Sequence, residues 1–149
     1  PSRQEVSVRW TWVSRVMPKY RLPIRVYIED TDAGGIVYYV NYLKYFERAR
    51  TELIRSLGVD KTAVMEDGSV FVVTSAAIDY LAPARLDDQL EAVAEIVNSG
   101  AATIEFRQSV VRSGIELASG QVRVALTDGE SGKPKRMPQG LRELLTQST

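Results

Sequence analysis

Residues 22–57 read LPIRVYIEDTDAGGIVYYVNYLKYFERARTELIRSL, and the change of hydrophobic period inside them decides the fold. From Leu22 to Glu29, the residues Ile24, Val26 and Ile28 stand two apart with Arg25, Tyr27 and Glu29 between them, the alternation of a half-buried strand. From about Asn41 to Leu57, the residues Tyr42, Tyr45, Phe46, Ala49, Leu53 and Leu57 recur at three- and four-residue steps, which predicts one apolar face of a helix. The other face carries Lys44, Glu47, Arg48, Arg50, Glu52 and Arg55. Asn41 has the side chain of an N-cap, and Gly58 stands where a helix commonly stops. Between the two periods lies the loop Asp30-Thr31-Asp32-Ala33-Gly34-Gly35.

Working outward, strand-like runs follow the helix with short turn signals between them. Phe71 to Leu81 is the first. Gln89 to Val97 follows, with Leu90, Ala92, Ala94 and Ile96 on one face and Asn98-Ser99-Gly100 as a hairpin turn. Ala101 to Arg112 places Ile104, Phe106 and Val110 together and ends at Ser113-Gly114. Ile115 to Thr127 sets Val122, Val124 and Leu126 against Arg123, Ala125 and Thr127, and a short helix over about 138–145 closes the chain. One strand, one long helix and then a meander is an α+β plan, a five-stranded antiparallel sheet wrapped around a central helix. Such a sheet has two edges, and pairing with a second copy is a common way to cover one, so at least a dimer is expected. Residues 1–21 fit the plan poorly and are read as an N-terminal extension, with Met17 a natural starting point and residues 1–16 an upstream or interface segment without chemical role. The domain proper is assigned to residues 22–149.

Composition narrows the function. The chain has 149 residues, 44% hydrophobic and 26% charged, enough for one globular domain and little more. Nineteen basic and nineteen acidic residues leave a formal charge of zero, which supplies no general attraction to nucleic acid. No apolar run approaches the roughly 18 residues of a membrane span, and the start PSRQEVSVRW lacks the basic and apolar regions of an export signal. With no cysteine, disulfides and thiolate metal sites are excluded, in keeping with a cytoplasmic location. With no histidine, the schemes built on His as base, as partner of a nucleophile or as metal ligand are excluded too. Carboxylate chemistry becomes the default.

The loop suits such chemistry. Gly34-Gly35 permits positive φ and lets a ligand approach main-chain N–H groups. The start of a helix presents unpaired N–H donors and the positive end of its dipole, which suit a developing oxyanion. Acyl transfer needs that arrangement with a carboxylate nearby, as nucleophile or as base for water. Residue types alone also fit a plain turn in which Asp30 and Asp32 merely satisfy loop N–H groups. Glu47 is a second carboxylate within reach of the helix start, although its neighbours Lys44 and Arg48 also fit a solvated ion pair.

The run RVYIEDTDAGGIVYYVNYLKYFERARTELIRSLGV, Arg25 to Val59, closely resembles the hotdog-fold acyl-CoA thioesterases of the 4-hydroxybenzoyl-CoA thioesterase superfamily, in particular the branch associated with the bacterial Tol-Pal system. IDYLAPARLDDQLEA, Ile78 to Ala92, resembles the same branch, and the similarity extends from about Leu22 to Leu145. The resemblance implies hydrolysis of a thioester to free acid and CoA. It implies that Asp32 is the catalytic aspartate and that the backbone N–H at Tyr39 polarises the thioester carbonyl. The Tol-Pal branch often has histidine where this chain has Tyr39, which bears on substrate preference. Glu47 lies in the same helix motif and could touch substrate from a neighbouring subunit. No metal and no cofactor are expected, coenzyme A being part of the substrate. Acyl-CoA, with acyl carrier protein as a further candidate, and a homodimer or homotetramer complete the expected partners. Asp79, Arg85, Asp87 and Asp88 with Pro83 are read as shaping a turn, and Lys133, Lys135 and Arg136 as either a phosphate contact or a solvated loop. The alternative function is a non-catalytic module holding acyl-CoA or acyl carrier protein. A hotdog dehydratase is disfavoured, because those enzymes typically use a histidine.

Overall fold

The alternation that begins the domain runs further back than Leu22. In the computed structural model, which describes residues 17–59 and 65–146, strand β1 spans Lys19–Arg25 and turns Tyr20, Leu22 and Ile24 toward the core. Lys19, Tyr20 and Arg21 therefore belong to the sheet, since Tyr20 keeps the phase of Leu22. Residues 1–16, with the expectation of an extension, lie outside the described part. The other end of the strand also differs from the alternation. Val26 is fully buried, but the Asp30 carboxylate accepts the Tyr27 N–H at 2.9 Å and turns the chain into a single 3-10 turn, Ile28–Asp30. Ile28 is left 75% exposed: a local side-chain to backbone bond outcompetes strand periodicity.

Helix α1, Asn41–Ser56, forms as its period requires. Tyr42, Tyr45, Phe46, Ala49 and Leu53 make a continuous buried stripe against β1 and the central strands, and each large side chain so buried contributes about 1.5–3 kcal/mol. Asn41 is not the cap. It is the first helical residue, behind Val40, and its side-chain amide donates to the Asp30 carbonyl at 2.7 Å, tying helix to loop.

The remaining strands are β2 (Val70–Tyr80), β3 (Gln89–Ser99), β4 (Thr103–Arg112) and β5 (Ile115–Thr127), followed by helix α2 (Gln139–Leu145). They form one antiparallel sheet in the order β1-β3-β4-β5-β2. Each predicted inner face is buried: Leu90, Ala92, Ala94 and Ile96, then Ile104, Phe106 and Val110, then Val122, Val124 and Leu126. The expected turn at Asn98-Ser99 is instead absorbed into β3 through an irregularity after Ile96, and the Asn98 amide donates to the Glu105 carboxylate across the pair. The chain reverses one step later, where the Gly100 N–H donates to Thr103. Gly120 of β5 lies opposite Ile78, and a Cβ there would stand 2.3 Å from the Ala77 carbonyl oxygen and 3.2 Å from the Phe46 ring.

Candidate active site

The loop between β1 and α1 folds back on itself as a small hairpin. The Tyr38 N–H donates to the Asp30 carbonyl at 2.9 Å, Thr31 bridges to Val37, and the Asp32 N–H donates to the Ile36 carbonyl at 2.9 Å. The Gly35 N–H closes the turn on the Asp32 carbonyl at 3.0 Å, with Gly35 at a φ of 73° that side chains rarely adopt. Asp32 sits at this turn, exposed, with Oδ1 accepting the Gly34 N–H at 2.9 Å. The turn reading of Asp32 thus holds for one oxygen. Its other oxygen takes no hydrogen bond among the described residues.

Tyr39 follows directly, where the hairpin meets the helix. The Asn41 N–H donates to the Tyr38 carbonyl, the Tyr42 N–H to Tyr39 and the Leu43 N–H to Val40, at 2.9, 3.2 and 3.1 Å. These tight bonds satisfy the first helical donors. Among the described residues, the N–H groups of Tyr39 and Val40 have no acceptor, so the free donors stand just ahead of the helix, at the positive end of its dipole.

A second segment clasps the hairpin. The Val37 N–H donates to the Ala84 carbonyl at 2.8 Å, the Leu86 N–H to Gly35 at 3.0 Å, and the Ala84 N–H to the Tyr42 hydroxyl at 3.0 Å. Asp88 anchors the clasp, accepting the Arg85 N–H and the Arg112 guanidinium, while Val26 pairs with the backbone of Asp87 and Asp88. Burial pushes the Asp88 carboxyl up, but the Arg85 N–H and Arg112 outweigh it, so the group lies below the usual carboxylate range. Between hairpin and clasp opens a cleft of about 290 Å³, lined by Ile36, Tyr39, Tyr42, Tyr80, Leu81 and Pro83. Tyr80 packs edge-on against Tyr39 and Tyr42, with ring centres 5.9 and 5.4 Å apart, and its hydroxyl donates to the Tyr39 carbonyl at 3.3 Å. Deeper in, the Tyr45 hydroxyl is buried without a partner among the described residues, and burial together with the Asp30 carboxylate pushes its phenol up.

Asp32 and Tyr39 are therefore carried on one hairpin, whereas Glu47 is not beside them in the single chain. It lines a different cleft of about 170 Å³, with Arg50, Ile54, Phe71 and Phe106. There its Oε2 accepts the Thr51 hydroxyl at 2.6 Å, in place of the expected pairing with Lys44 or Arg48. Of the basic loop, Lys135 is engaged by Asp67 at 2.7 Å. Tyr42, Tyr80 and Ala84 line or frame the cleft without any motif of residue types that assigns them to it. For Tyr80 and Ala84 the available signal is the run from Ile78 to Ala92, which resembles the same enzymes as the loop; Tyr42 carries only the signal of the apolar helix face.

A family model described as the thioesterase-like superfamily matches residues 26–145, a span that takes in the hairpin, α1 and the whole clasp. The chain belongs to the thioesterase-like superfamily. It is 42% identical over 124 residues to "Acyl-CoA thioesterase YbgC" of Haemophilus influenzae, covering 83% of this chain and 91% of that one. It is 40% identical over 123 residues to "Acyl-CoA thioester hydrolase YbgC" of Escherichia coli, covering 82% and 92%. The crystal structure of a probable thioesterase from Bartonella henselae, 32% identical, matches with a TM-score of 0.76 over 80% of this chain and 99% of that one. The sheet wrapped around α1 in this thioesterase is thus the hotdog arrangement expected from the sequence.

Proposed function

We propose that this thioesterase hydrolyses acyl-CoA thioesters, with Asp32 as nucleophile or general base and the Tyr39 N–H as donor to the carbonyl oxygen. The observation that carries the reading is the joint placement, on one hairpin at the start of α1 and beside an apolar cleft, of a carboxylate oxygen and an N–H that have no hydrogen-bond partner among the described residues. The names of the Haemophilus and Escherichia relatives support the substrate class. As the thioester carbonyl adds oxygen, negative charge grows on its own oxygen, and a fixed N–H at the dipole's positive end stabilises that charge more than the neutral ground state. Asp32 either attacks the carbonyl carbon, giving a mixed anhydride that water then cleaves, or takes a proton from the attacking water. Both routes consume one water and yield the acid and the CoA thiol.

Measuring thiol release from a panel of straight-chain and aromatic acyl-CoAs tests this reading. Native protein should turn over at least one of them, and Asp32→Asn should lose about 10²-fold or more in kcat. Full activity in Asp32→Asn would sink the assignment. Tight acyl-CoA binding without turnover by the native chain would do the same, and would establish the binding-module alternative.

The reading includes a second copy of the chain. Edge strand β1 carries Lys19, Arg21, Pro23 and Arg25, the charges and proline that discourage edge pairing. The opposite edge, β2, reads VFVVTSAAIDY, with no basic residue or proline and with Val72 and Val73 39% and 52% exposed. An apolar, unguarded edge of eleven residues is suited to pairing with another β2. Light scattering should give a dimer or tetramer, and a monomer at micromolar concentration would refute the pairing.

A further inference from the structure

We propose that Tyr80 is a positioning residue for the oxyanion donors, holding the Tyr39–Val40 peptide through its hydroxyl. The inference rests on the reading of Tyr39 as the carbonyl-binding residue. The two N–H groups without acceptors belong to consecutive peptide units, and each unit is held by its carbonyl oxygen. The unit that ends in the Tyr39 N–H is held at the Tyr38 carbonyl by the Asn41 N–H, an ordinary bond of the helix start at 2.9 Å. The next unit, which ends in the Val40 N–H, is held less well by the helix, since the Tyr42 N–H reaches the Tyr39 carbonyl at 3.2 Å. The Tyr80 hydroxyl supplies a second donor to that same carbonyl from a different element, the last residue of β2.

Two consequences follow from peptide geometry. Carbonyl and N–H point to opposite sides of one planar unit, so a second bond on the Tyr39 oxygen fixes the direction of the Val40 N–H as well. Donation into a carbonyl also polarises the unit, which makes its N–H a stronger donor. The rings restrain Tyr80 itself: it stands edge-on to both Tyr39 and Tyr42, and Tyr42 is tied in turn to the clasp at Ala84. Tyr80 is 45% exposed, so core packing does not account for its placement; it forms one wall of the cleft, with its hydroxyl turned to the backbone. The Tyr39 and Val40 N–H groups would then act as a pair on the developing oxyanion, with Tyr80 setting the second of them.

Tyr80→Phe removes the hydroxyl and keeps the ring, and the best acyl-CoA of the panel serves as substrate. The variant should lose about five- to tenfold in kcat, with KM within about twofold and the thermal midpoint unchanged, because the lost bond serves the transition state. In uniformly ¹⁵N-labelled protein the Val40 amide resonance should shift, while those of Leu90 and Phe106 stay in place. Unchanged kcat, an effect confined to KM, or an unmoved Val40 resonance would each overturn the proposal. Asp32→Asn is measured alongside. If Asp32→Asn is inactive and Tyr80→Phe runs at full rate, Tyr80 alone is misassigned. If Asp32→Asn is fully active, the functional reading fails, and the Val40 resonance still decides whether Tyr80 holds the peptide.

Discussion

Asp32 gives one carboxylate oxygen to the Gly34 N–H and leaves the other without a hydrogen bond among the described residues, so the turn that presents the group also orients it. This is the finest scale at which the site can be altered, and the roles divide cleanly there. In the proposed mechanism position 39 acts through its main chain, so Tyr39→Phe should keep kcat within about threefold, measured by thiol release. A loss of two orders of magnitude would instead put the phenol into the chemistry. Gly35 is the reverse case, because its backbone matters and nothing crowds it: a Cβ added there would meet no atom within 4 Å, yet its φ is 73°. Gly35→Ala should cost about 1–2 kcal/mol of stability, from the left-handed conformation alone. Chemical denaturation checks it, and a loss below about 0.3 kcal/mol, the noise of such comparisons, would show that the loop relaxes. The residue types DTDAGG were legible as a loop able to carry acyl chemistry. What residue types could not convey was which N–H groups the helix start leaves free.

Among the elements, α1 and the three central strands were legible because each buries one face, and a buried face imprints its period on the sequence. The misreadings fall where a polar side chain meets the backbone or a neighbouring strand: Asp30 ends the first strand early by bonding the Tyr27 N–H, and Asn98 extends β3 by reaching Glu105. Neither bond has a periodic signature. Contacts between elements leave even less trace. Gly120 reads as a strand glycine, yet β5 passes β2 and α1 so closely there that any Cβ collides with the Ala77 carbonyl. Gly120→Ala should therefore destabilise by about 3 kcal/mol, lowering the denaturant midpoint at unchanged m-value. A midpoint equal to that of the native chain would mean that β2 yields easily at its irregularity near Val73.

For the whole molecule, the clasp ties β1, the hairpin, β3 and β4 into one unit through Asp88, and that makes stability depend on pH. The folded Asp88 carboxyl lies below its ordinary value, so its contribution is fully present above the unfolded value of about 3.9 and disappears as pH falls through the lower folded value. Thermal midpoints should accordingly fall below about pH 4, and Asp88→Asn should lower the midpoint at pH 7 and flatten that acid limb. An acid limb of equal depth in the variant would assign the effect to other carboxylates. The sequence by itself determined the class of fold and the exclusion of histidine and cysteine chemistry, and it singled out the loop whose carboxylate we propose as the agent, because periodicity, composition and turn chemistry are local. Only the tertiary structure decided that Tyr42, Tyr80 and the 81–88 segment enclose the cleft, that Glu47 faces a different one, and that β2 is the unguarded edge. Those facts depend on which distant segments meet, which no local pattern records.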